Sequence, residues 1–152
     1  MSTLALSHLP HTPVRHQRGL VVVELAIVLP LLVLIMFATA ELGRALYQYN
    51  TLTKAVESGA RYYASNPGIS EKTIENLVVF ASPFPEKAVK PVLPNFDTTG
   101  TVDVGGPEDG HITVSADYKF EPIFEVTEKL PIIGKRLGSD LIMTATQTMR
   151  AL

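Results

Sequence analysis

Apolar residues along the chain follow three patterns in turn, and each pattern marks a kind of element. From Leu20 to Ala40 the chain reads LVVVELAIVLPLLVLIMFATA, with Glu24 its one charge and Pro30 its one proline. A buried helix of a soluble protein needs polar positions at helical spacing, and none falls between Leu25 and Phe37. At ~1.5 Å per residue the stretch predicts roughly 31 Å of helix, about the hydrocarbon thickness of a bilayer. It reads as a transmembrane helix. Beyond it, Leu42, Ala45, Leu46, Tyr49, Leu52, Val56, Ala60 and Tyr63 recur at three- and four-residue steps. That period predicts that the helix continues as an amphipathic stalk to Ala64, where Asn66-Pro67-Gly68 stops it. A short second helix is expected from Ser70, a good N-cap residue, to about Ala81, with Ile74, Leu77, Val78 and Ala81 as its apolar face.

The last third of the chain switches to period two. Pro83, Pro85, Pro91 and Pro94 make an extended connection that excludes helix and central strand. Thr101 to Val104 alternates and meets a turn at Gly105–Gly110. The next strand alternates cleanly, with Ile112, Val114, Ala116, Tyr118 and Phe120 on one face. An irregular segment with Pro122 and Pro131 leads to a last strand from about Asp140 to Arg150, where Leu141, Met143, Ala145 and Met149 share a face opposite Thr144, Thr146 and Thr148. The expected fold class is α+β: a transmembrane helix running into a long amphipathic spine, packed by a small antiparallel sheet of about three strands. The divisions are 1–19, a basic leader; 20–40, the membrane helix; 41–81, the stalk and second helix; and 82–152, a small β-rich domain.

Charge adds the orientation. Residues 1–19 hold Arg15, Arg18, three of the four His and no carboxylate. Positive charge flanking the span on its N-terminal side predicts a cytoplasmic N-terminus, with everything past Ala40 outside the cytoplasm. Removing the leader takes away two arginines and moves the net charge from −2 to −4. Such acidity suits no phosphate-neutralising role, so no nucleic-acid partner is expected. The Ala38-Thr39-Ala40 sequence would also serve as a signal-peptidase site, but the apolar run exceeds the ~7–15 residues of a usual signal core. Glu24 stands out, because a carboxylate in a membrane span is costly and by default functional. About 6 Å beyond Leu20, it could alternatively snorkel to the head groups. Pro30 removes one backbone hydrogen bond, to Ala26, and is expected to bend or loosen the helix.

Catalytic chemistry is missing. Without Cys there is no disulfide, thiol nucleophile or Cys-ligated zinc, and no nucleophile-elbow, zincin, phosphate-loop or dinucleotide motif occurs. His111 reads as a solvated strand residue, and Asp97, Asp103, Glu108 and Asp109 as solvated turn carboxylates whose spacing matches no calcium loop. Tyr47, Tyr49, Tyr62 and Tyr63 read as packing and interfacial anchors. No enzyme, cofactor or metal is expected.

Arg18-Gly19, four apolar residues, then Glu24 and a long apolar run resembles a type IV prepilin processing site. The resemblance narrows to the TadE-like family of the tight-adherence (Tad, or Flp) pilus system. It is carried by ELAIVLP (Glu24 to Pro30), ELGR (Glu41 to Arg44), YQYN (Tyr47 to Asn50), and SGAR (Ser58 to Arg61) followed by Tyr62-Tyr63. ITVSADYKF (Ile112 to Phe120) and the Thr-rich strand ending Met149-Arg150 also look familial, so the resemblance covers most of the chain, least diagnostically around Ser82 to Gly110. Leu25 departs from the aromatic usual in the major pilins of that system, and the 19-residue leader is somewhat long.

The resemblance implies a non-catalytic minor pilin or pseudopilin in the bacterial inner membrane. A prepilin peptidase would cut between Gly19 and Leu20, and Glu24 would register the subunit on the new amine of a neighbour. Implied partners are that peptidase, other pilins or pseudopilins, the inner-membrane assembly platform and the lipid bilayer. Two rivals stand beside it: an uncleaved single-pass scaffold of the same machine, and a secreted module released by signal peptidase.

Overall fold

A computed structural model describes residues 17–66, 68–123 and 141–151. The basic leader up to His16, Pro67, Pro131 and the expected strand start at Asp140 lie outside the described residues. The elements are α1 (Gln17–Ser65), α2 (Glu71–Phe80), α3 (Phe96–Thr99), β1 (Thr101–Glu108), β2 (His111–Lys119) and β3 (Ile142–Arg150). The strands form one antiparallel sheet in the order β1-β2-β3. The fold is α+β, with the long N-terminal helix and small sheet expected from the sequence.

The chain divides into two compact units, one up to Thr39 and one from Ala40 onward. In the first, α1 runs through Pro30 without interruption. Its most apolar 18-residue window has a mean hydropathy of 3.0, and none of it is buried within the protein. This helix is long and apolar enough to cross a membrane. So large an uncovered apolar surface is stable only in lipid or against another apolar surface.

The second unit is organised by one row of α1. Leu52, Val56 and Ala60 follow at four-residue steps and are fully buried. Against them lies the alternating face of β2, on which Ile112, Val114, Ala116 and Tyr118 are buried, followed by Phe120 just past the strand. Met143 and Ala145 of β3 extend that face, and Val102 and Val104 of β1 are partly buried beside it. Ile74 and Val78 of α2, with Leu93 and Phe96 from the proline-rich connection, close the core. Phe96 meets Tyr118 edge to face, with centroids 5.7 Å apart, a geometry that matches the ring quadrupoles.

Five expectations are corrected. Leu42, Leu46 and Tyr49 are not part of the buried stripe: they are exposed, and the inward row at that height is Arg44, Ala45 and Gln48. The face of α2 is Ile74, Val78 and Val79, with Leu77 only partly covered; Ala81 is the C-cap, in the left-handed region at φ 54°. β1 runs on through Gly105-Gly106 to Glu108 with a register irregularity, so the turn shrinks to Asp109-Gly110. Both turn residues have positive φ, as the two-residue turn that matches strand twist requires. Finally, α3 interrupts the extended connection after Pro94, and Leu141 is exposed just before β3.

Gly59 sits on α1 where it crosses α2. A methyl group there would lie 2.6 Å from Val78 Cγ2 and 3.5 Å from Ile74 Cγ2. Gly→Ala inside a helix ordinarily gains about 1 kcal/mol. Here overpacking wins, and Gly59→Ala is expected to cost about 1–3 kcal/mol. A lowered thermal midpoint of the full chain in detergent would show it; a raised midpoint would mean that α2 yields freely.

Candidate functional site

Gly19, Leu20 and Glu24 all lie in the first turns of α1. A side chain added at Gly19 would meet nothing within 4 Å, and Leu20 is 73% exposed. The Gly19–Leu20 peptide belongs to the first turn of the helix. Leu20 and Glu24 are four residues apart and share a helix face, with Cβ atoms about 5–6 Å apart. Cβ atoms tilt toward the helix N-terminus, so the exposed Glu24 side chain leans toward Leu20. The helix thus gathers the three residues singled out from the sequence at one end. What that end can offer chemically is an accessible peptide bond and, one turn on, a single carboxylate on an apolar cylinder.

A second polar site, which the sequence reading missed, lies just past the apolar span. Arg44 donates to Glu41 Oε1 at 2.6 Å and also to the backbone carbonyl of Glu121. Its guanidinium stacks 4.5 Å from the centre of the Phe120 ring. The same Glu41 oxygen accepts the backbone N–H of Ile123 at 3.1 Å. Glu121 in turn accepts from Asn95 Nδ2 at 3.1 Å, with Asn95 in the left-handed region at φ 56°. Arg44 and Glu41 are mostly covered, unlike the exposed Glu57–Arg61 pair one stripe away. Low local dielectric makes the covered pair much the stronger of the two. Arg44 Nε and Gln48 Oε1 are buried without a partner, one helical turn apart.

A sequence signal for this site did exist. Arg44 and Gln48 continue the row Leu52, Val56, Ala60 by exact steps of four, so polar residues stand where the apolar row points inward. Next to the clamp, the Tyr118 hydroxyl donates to the Pro94 carbonyl at 3.1 Å. Burial raises its pKa above the usual tyrosine value and Glu121 adds to the rise, while the nearby Arg44 opposes it.

Other candidate groups stay apart. His111 Nδ1 contacts the Asp109 carbonyl at 3.1 Å, and among the described residues no three His, Asp or Glu are placed to share a metal ion.

These features define a class: a protein with one apolar helix suited to a membrane and a small α+β unit beyond it. Residues 19–61 match the family model described as TadE-like protein. The match begins at Gly19 and takes in Glu24, Glu41 and Arg44. It ends before α2 and the sheet. No curated protein and no solved structure matches the chain.

Arg44→Ala would leave the Glu41 carboxylate covered and short of its strongest donor, at a cost of about 2 kcal/mol. Arg44→Lys should recover only part of this, because an ammonium keeps the charge and the donors but lacks the planar group that stacks on Phe120. Chemical denaturation of the full chain in detergent, read by tyrosine absorbance, would report both. Tyr118 gives a pH signature. Its raised pKa favours the protonated phenol in the folded state, so that contribution is whole below about pH 10, where an unfolded tyrosine ionises. It is lost as pH rises through the folded value. Tyr118→Phe should cost about 1 kcal/mol at neutral pH, and its stability gap from the parent chain should narrow above pH 10.

Proposed function

We propose that this chain is a minor pilin or pseudopilin that takes part in assembling a Tad-type pilus and performs no catalysis. The observation that carries the reading is the TadE-like match that opens at Gly19 and contains Glu24 within an apolar, uncovered helix. On this reading the chain sits in the bacterial inner membrane with its N-terminus cytoplasmic and its α+β unit outside. A prepilin peptidase cuts between Gly19 and Leu20, removing Arg15 and Arg18 and leaving an ammonium on Leu20.

The mechanism is a matter of desolvation. A carboxylate and an ammonium are each costly in hydrocarbon, and pairing the two offsets most of that cost. Glu24 of one subunit paired with the Leu20 amine of a neighbour makes entry into the assembly depend on prior processing. The apolar helix moves from lipid to a protein environment and stays dry throughout, keeping roughly 25 cal/mol for each Å² withheld from water. Other pilins or pseudopilins and the inner-membrane platform are the partners this requires.

N-terminal sequencing and intact mass of protein recovered from native membranes test the first step. A chain beginning at Leu20 is the expected result. One beginning at Glu41 would mean release by signal peptidase, and an intact leader beside an active processing peptidase would mean a permanent scaffold. For the second step, Glu24→Ala should leave cleavage unchanged and abolish incorporation into the assembly. Normal piliation in that variant would remove the pairing mechanism.

A further inference from the structure

We draw no further inference here: the strongest candidate, the exposed apolar side chains of the connection between α2 and α3, where Phe84 stands 77% exposed between Pro83 and Pro85 and Val89 and Val92 are exposed as well, carries nothing because nothing in the structure shows what covers them.

Discussion

Burial of one sheet face against the row Leu52, Val56 and Ala60 is the contact on which the rest of the second unit depends. Three strands alone present an apolar face that water would leave unstable, and α2 is too short to be a stable helix by itself. The stalk supplies the missing cover, and its small residues let the other elements come close. Ala60 lies on the row, and at Gly59 the approach of α2 leaves no room for a methyl group. The strands carry their inward residues at period two, the helix at period four, and the two patterns meet in a single core.

The same helical row turns polar toward its N-terminal end. Where it would continue as Gln48 and Arg44, the packing partner is no longer a strand face but the chain leaving β2. That chain has backbone groups to satisfy, and the Arg44 guanidinium and Glu41 carboxylate meet them. The row therefore binds by burial at its far end and by charge-assisted hydrogen bonds near the span. Apolar side chains are displaced to the opposite side of the stalk, where Leu42, Leu46 and Tyr49 stay exposed.

Function in this reading follows from where charge is permitted. In the first unit one carboxylate, Glu24, stands on an apolar helix one turn from Leu20; its cost in hydrocarbon is what makes a positive partner selective. In the second unit charge is paired within the chain and serves position.

Much of this was legible in the residues. A run of apolar side chains without helical polar spacing specifies a helix that needs lipid or another apolar surface around it, and strict alternation on β2 and β3 specifies strands, because both are patterns of local geometry. Leu20, Gly19 and Glu24 were legible for the same reason: their relation is a separation along one helix. What the sequence could not decide is which of two overlapping helical stripes turns inward. Leu42, Leu46 and Tyr49 are the more apolar choice, yet Arg44 and Gln48 are the covered ones. That choice depends on what lies opposite, the carbonyl of Glu121 and the ring of Phe120, some 77 residues away along the chain. Contacts across such distances have no period, so only the folded arrangement determines them.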